Sequence, residues 1–295
     1  MNFKAVFGAV LLSVTHFVTP AVSQEIITDK GKTTLEIGAS YLTTTRPAGL
    51  RWNPYDRFIE NKVFRIGAHY GLSEKTEIYA KAFYQHEKNQ VIDNHLKHPG
   101  RTIYNDLSQL TFGINHRIKG NDDFGIVNFN SITLANINLD DADNIGTTRE
   151  QLDYGSSLTT GLRFYRTYDP VVISATFGYI FRSAHTLNLE NFSHGFGVRS
   201  NDTHKPGNVF FFTPKIDFKV SDKLTLKSGL AIKMFDSYNR SGQRYQPPAA
   251  LSNLELGIAY KLNESTTFLF DTSAGLVNLQ SEGNLDMHFT LRKSF

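Results

Sequence analysis

Arg65, Lys81, Arg117, Arg163, Arg182, Lys215, Asp217, Lys227, Lys233, Glu255, Asp271 and Arg292 are charged residues set mostly between apolar neighbours. Charges of both signs in such rows have two uses. They pair across adjacent strands, or they line a passage whose field guides polar and charged solutes. For any single residue the ion pair is the plainer reading; the summed sign carries the functional one. Adding the remaining positions of the same parity, the cations (with Lys219 and Lys261) outnumber the anions (with Glu36, Glu77 and Asp286). Low-dielectric walls focus that imbalance, so a passage lined by this set prefers anions modestly.

Other chemistries find weaker support. A Ser-His mechanism needs a hydroxyl, an imidazole and an orienting group in register. His116 faces outward by parity near one strand end, no His-x-Ser-Asn-Gly run occurs, and Asp140, Asp141 and Asp143 read as a solvated turn. His86, His95, His98, His185, His194 and His204 fall in or beside polar links without HxH or HExxH spacing, so solvated histidines are favoured over metal ligands. There is no cysteine, hence no disulfide and no thiolate metal site. No cofactor is implied. Trp52, amid Arg46, Arg51, Tyr55 and Arg57, could bind carbohydrate or lipopolysaccharide phosphates; an ordinary loop is the plainer reading.

The elements that position the charged rows alternate, though "TEIYAKAFYQ" does so more weakly. "VFRIGAHY" sets Phe64, Ile66, Ala68 and Tyr70 against Arg65, Gly67 and His69, and "VVISATFGYIFR" sets Ile173, Ala175, Phe177, Tyr179 and Phe181 against Ser174, Thr176, Gly178 and Arg182. Twelve segments of this kind, each about ten residues long, match the length a tilted strand needs to cross a bilayer. The fifth, "FGIVNFNSITLANI", is ambiguous in register, and Pro214 in "VFFFTPKIDFKV" predicts a bulge or a pairing defect. Short links near 73–75, 120–122, 168–170, 221–223 and 263–265 alternate with longer polar ones near 46–60, 88–104, 138–150, 184–206 and 237–250. The expected fold is therefore all-β: an antiparallel transmembrane barrel of about twelve strands, with short periplasmic turns and longer extracellular loops. A soluble β-sandwich also alternates, but it does not explain so many long strands ending in Tyr or Phe, as interfacial girdles do.

Compartment follows from the beginning of the chain. Lys4, an apolar run from Ala5 to about Val14 and small residues at Ala21 and Ser23 have the layout of a cleaved signal peptide, with a run too short to span a bilayer. The expected organisation is a signal peptide over 1–23, a short periplasmic segment over 24–33 that could close the periplasmic mouth, and the barrel over 34–295. Net charge of +3 is too small to imply nucleic acid, and mean hydropathy of −0.30 is too low for a helical membrane protein. The expected place is the bacterial outer membrane. The last strand, "LDMHFTLRKSF", must close the barrel, and Phe289, Leu291 and Phe295 resemble the signal read by the outer-membrane barrel assembly machinery. Lys293 falls on the lipid side by parity, where a lysine near the interface can snorkel to headgroups.

"DLSQLTFGINHRI", "YGSSLTTGLRFYRTYDPVVISATFGYIFR", "PGNVFFFTPKIDFKVSDKLTLKSGL" and "SNLELGIAYKLNESTTFLFDTSAGL" resemble the family of outer-membrane transporters named after the meta-pathway of phenol degradation. The turn signatures fall at Asp169 to Val172, Gly207 to Val209 and Ser221 to Leu224. The chain is also similar to the pore part of barrels that export functional-amyloid subunits, without their long coiled-coil extension. The resemblance implies passage of small, often aromatic or hydrophobic, solutes. Expected partners are such solutes, outer-membrane lipids with lipopolysaccharide, and the assembly machinery; a homo-oligomer is left open. The alternatives are a barrel enzyme of the lipase or deacylase type, and an export pore.

Overall fold

The computed structural model describes residues 27–46, 56–92, 100–121, 123–135, 156–187, 202–240, 243–246, 248–278 and 283–295. The expected signal peptide, Trp52, His95, His98, His194 and the Asp140 to Asp143 group lie outside the described residues. Among the described residues every element is a strand. Seven run in succession: β1 (Thr33–Arg46), β2 (Asp56–Ser73), β3 (Thr76–Ile92), β4 (Gly100–Gly120), β5 (Phe124–Ala135), β6 (Ser157–Tyr168) and β7 (Val171–Arg182). Two short strands follow, β8 (His185–Leu187) and β9 (Asp202–Lys205), then β10 (Val209–Lys219) and β11 (Leu224–Phe235). The chain ends with short β12 (Tyr238–Arg240) and β13 (Gln243–Gln246), then β14 (Ala249–Lys261), β15 (Thr266–Asn278) and β16 (Gly283–Ser294).

Twelve of these form a closed antiparallel barrel in the order β1-β16-β15-β14-β11-β10-β7-β6-β5-β4-β3-β2. Closure is a backbone requirement, because lipid offers no partner to N–H and C=O groups at a sheet edge. The seam runs from Thr34↔Ser294 to Thr45↔Gly283, and the Phe295 N–H still donates to the Thr33 carbonyl at 2.8 Å. Ile37, Phe64, Ile66, Phe112, Ile216 and Phe289 stand exposed on the outside while Glu36, Glu77 and Asp217 are buried within. This inversion marks an outer-membrane barrel.

The fifth segment has a clear register in three dimensions. Phe124, Ile132 and Leu134 face out and Val127 and Phe129 face in, which leaves Asn128 and Asn130 on the lipid side. The Asn128 amide donates to the Gly161 carbonyl at 3.0 Å, the Asn130 amide to Asn128 Oδ1 at 2.5 Å, and the Thr160 hydroxyl to Asn130 Oδ1 at 2.7 Å. Amides in hydrocarbon need partners, and this ladder supplies them. At Pro214 the result is a pairing defect. Thr213 and Pro214 are absent from the β10–β11 ladder, while Phe212↔Ile232 and Lys215↔Gly229 keep the same register on either side.

The longer links are corrected in two ways. Strands β2, β3 and β4 run into the expected loops at 46–60 and 88–104, reaching Asp56↔Ile92 and Val91↔Gly100. At 18, 17 and 21 residues they exceed what a bilayer crossing needs, so ladder hydrogen bonds carry a polar ribbon beyond it. The links at 184–206 and 237–250 contain β8, β9, β12 and β13, a separate sheet in the order β13-β12-β9-β8. In it His185 pairs with His204, both beyond the loop-side end of the barrel.

Candidate functional site

The lumen is built from the inward members of each strand. On one wall, Arg292 (β16), Glu36 (β1), Gly67 (β2) and Lys81 (β3) are consecutive partners in one ladder row. Gly67 has no side chain to separate the outer members; a Cβ there would lie 3.1 Å from Lys81 Cγ. Lys81 therefore crosses β2 and places Nζ 3.0 Å from Glu36 Oε2. From the other side Arg292 Nε donates to Glu36 Oε1 at 3.0 Å, a second guanidinium nitrogen contacts the same oxygen, and His69 Nε2 lies 3.4 Å from Oε2. Glu36 is only 2% exposed, so its charge is held by protein groups rather than by water.

Next to it, Glu77 receives the Asn115 amide at 2.8 Å and lies 3.0 Å from His69 Nδ1. Its second oxygen accepts the Thr28 backbone N–H at 2.7 Å and the Thr28 hydroxyl at 2.6 Å. The segment expected to lie in the periplasm thus enters the barrel. Ile27 is buried with Val127 and Tyr165, inward residues of β5 and β6. A parallel bridge from Lys30 to Gly71 and the Gly31 N–H donating to the Gly71 carbonyl at 2.8 Å anchor the segment at the rim. A Cβ at Gly71 would sit 2.0 Å from the Asp29 carbonyl oxygen, so the entry route needs glycine there.

The opposite wall repeats the crossing. Lys215 (β10), Gly229 (β11) and Glu255 (β14) share a row, and Lys215 Nζ reaches Glu255 Oε2 at 2.6 Å. Lys227, Gly257 and Asp271 share another, with Asp271 Oδ1 lying 2.2 Å from where a Gly257 Cβ would be. Asp217 pairs in register with Lys227.

Ten of the twelve residues expected in the lumen line one cavity of about 800 Å³: Arg65, Lys81, Arg163, Lys215, Asp217, Lys227, Lys233, Glu255, Asp271 and Arg292. Arg117 and Arg182 do not, because they sit at the barrel's two ends. Arg117 is beside a register shift at the turn end of β4, its N–H donating to the Lys75 carbonyl at 2.7 Å. Arg182 is the last residue of β7, its guanidinium 5.6 Å from the Phe235 ring centre. The excess of positive charge narrows accordingly, to seven Lys or Arg against five Asp or Glu on the cavity wall. Residues not singled out as site residues from the sequence are Thr28, Tyr79, Phe129 and Tyr165, which also line it. An inward aromatic followed across the ladder by a glycine was the available signal: Tyr79 lies over Gly113 and Tyr165 over Gly125.

His116 is exposed on the outer face, its Nδ1 3.0 Å from the Thr76 hydroxyl. Among the described residues no group of histidine and acid side chains is arranged to hold a metal ion. Phe289, Leu291 and Phe295 all stand on the outside of the closing strand. Lys293 is outside as well, with Nζ 4.9 Å from the Phe295 ring centre.

No protein-family profile matches the chain, and no curated protein matches it in sequence. Solved structures do match in three dimensions. An outer membrane channel from Pseudomonas putida F1 is 12% identical over 95% of this chain and 100% of its own, with a TM-score of 0.66. The translocator domain of the autotransporter NalP from Neisseria meningitidis is 11% identical over 99% of this chain and 94% of its own, at 0.60. The transport unit of the autotransporter AIDA-I from Escherichia coli is 9% identical over 99% and 98%, at 0.59. At these identities the likeness is one of fold.

Proposed function

We propose that this barrel is a passive outer-membrane channel with a narrow polar lumen, passing small solutes and favouring anions. The observation that carries the reading is a cavity of about 800 Å³ inside a closed wall, lined by charged residues from both sides. Twelve strands fall between the eight whose interior side chains fill and the sixteen to eighteen that leave a wide aqueous channel. A small aromatic or apolar solute as cargo rests on the sequence resemblance alone. Phe289, Leu291 and Phe295 act as the assembly signal, and the outer face meets membrane lipid and lipopolysaccharide. In this reading the lumen is a conduit, and the Ser40 hydroxyl, His288 and Asp286, linked at 2.7 and 2.8 Å, belong to its polar wall.

Purified protein in a planar bilayer under a potassium chloride gradient tests this. Discrete conductance steps with a reversal potential on the chloride side are expected. Cation preference would remove the charge argument, and a bilayer that stays silent would remove the channel.

A further inference from the structure

Resting on the channel reading, we propose that the wall formed by β5, β6, β7, β10 and β11 holds a subsite for small carboxylates that carry a flat aromatic ring. Strands β5 and β10 are separated by β6 and β7, so their backbones stand about 14 Å apart at ordinary strand spacing. The rings of Phe129 and Phe211 are nevertheless 6.2 Å apart between centres, inclined at 33°. They meet only by lying down across the two strands between them. The register shows what lies beneath, because Phe129, Gly161, Gly178 and Phe211 are consecutive partners in one row. A Cβ on Gly161 would come 2.4 Å from the Phe129 ring, and one on Gly178 would come 2.6 Å from the Phe211 ring. Two adjacent glycines therefore make room for an apolar floor in a lumen that is largely polar.

Two cations edge that floor. Lys233 continues the same row beside Phe211. Arg163 is the next inward residue of β6 after Gly161 and pairs with Thr176. Both line the cavity and are exposed within it. Most other lumen cations are engaged: Lys81 and Arg292 share Glu36, Lys215 holds Glu255, and Arg65 donates to the Thr290 hydroxyl at 2.7 Å. Among the described residues Arg163 makes only a long bond from Nε to the Thr176 hydroxyl, at 3.4 Å, and Lys233 has no acid partner.

Positive charge left over beside an apolar platform selects a ligand with both properties. The ring stacks on the phenylalanines, and the carboxylate takes the guanidinium fork of Arg163 or the ammonium of Lys233. A neutral ring leaves the cations hydrated, and a small aliphatic anion leaves the floor wet. Each is held less well than the combination.

The test uses the barrel in lipid nanodiscs with benzoate, acetate and benzyl alcohol as probes, read by saturation-transfer NMR, and the same solutes added to single channels in potassium chloride. Benzoate is expected to bind saturably and to interrupt the current at concentrations at least roughly tenfold below the other two, and Arg163→Gln or Lys233→Gln should each weaken it by about tenfold. Phe129→Ala should bring benzoate down to acetate, and Arg163→Lys should keep part of the binding. Lys233→Gln, exposed in the lumen, guards against a folding artefact. A conducting channel in which benzoate equals acetate overturns the subsite alone, as does benzoate binding that both Gln variants leave unchanged. Saturable benzoate binding by a barrel silent in chloride supports the subsite and removes the channel.

Discussion

Glu36 shows how a single buried charge organises its surroundings. Two cations and an imidazole from three other strands converge on it, so removing its charge leaves Arg292 and Lys81 facing each other without a counter-ion. Breaking one partner of such a buried pair costs about 3 kcal/mol, and Glu36→Gln is expected to lower the urea midpoint of the vesicle-refolded barrel accordingly. An unchanged midpoint would show that the network contributes no stability. Gly113 makes a different point. A Cβ there would sit 2.2 Å from the Tyr79 ring, which stacks on His69 at 5.3 Å between centres. Gly113→Ala must push that ring into the lumen, since the wall behind it is backbone. Smaller conductance steps with the fold retained are expected in bilayer recordings, and Tyr79→Ala in the same background should restore them.

Among the elements, the segment before β1 has the most direct bearing on conduction. Thr28 holds Glu77 through both its N–H and its hydroxyl, and Ile27 fills the space against Val127 and Tyr165. Thr28→Val keeps the shape and removes one hydrogen bond to a charged group, which is worth roughly 1.5–3 kcal/mol. Open events should become more frequent by about tenfold in single-channel records, a change that Asp29→Asn, at an exposed position, should not reproduce. The closing strand carries a separate expectation. Phe295 donates its N–H to Thr33 as part of the seam, yet its ring stands exposed on the outer face with the Lys293 ammonium over it. Phe295→Ser should reduce the amount of folded barrel recovered from outer membranes while refolding of the purified chain into vesicles proceeds normally. Equal loss in both would assign the ring to stability rather than to recognition.

The whole barrel acts through its summed charge. Seven cations against five anions is a small excess, so selectivity should be modest and should weaken as salt rises, because the screening length falls from about 10 Å at 0.1 M to about 3 Å at 1 M. Removing two of the seven, in an Arg163→Gln, Lys233→Gln double variant, leaves five against five. Reversal potentials under a potassium chloride gradient should then move close to zero. A preserved anion preference would place the selectivity outside the lumen wall.

Alternation was enough to establish the barrel. Arg65 between Phe64 and Ile66, or Arg292 after Leu291, tells which face is wet, because successive side chains on a strand point to opposite sides and lipid admits only one kind. The rule fails where both faces are mixed: in β5 Asn128 and Asn130 sit on the lipid side, and only their bonds to Gly161 and Thr160 make that face tolerable. Parity also cannot give height, which is why Arg117 and Arg182 point inward yet miss the cavity. Above all, it does not say which inward residues meet. Lys81 reaches Glu36 over one glycine, and Phe129 reaches Phe211 over two, because ladder register brings glycines between them, and register belongs to the closed sheet. Local alternation therefore set the wall's two faces. Closure alone decided the charge pairs, the aromatic floor and the lodging of the segment before β1 in the mouth, since each joins residues whose nearness depends on the stagger of every strand around the ring.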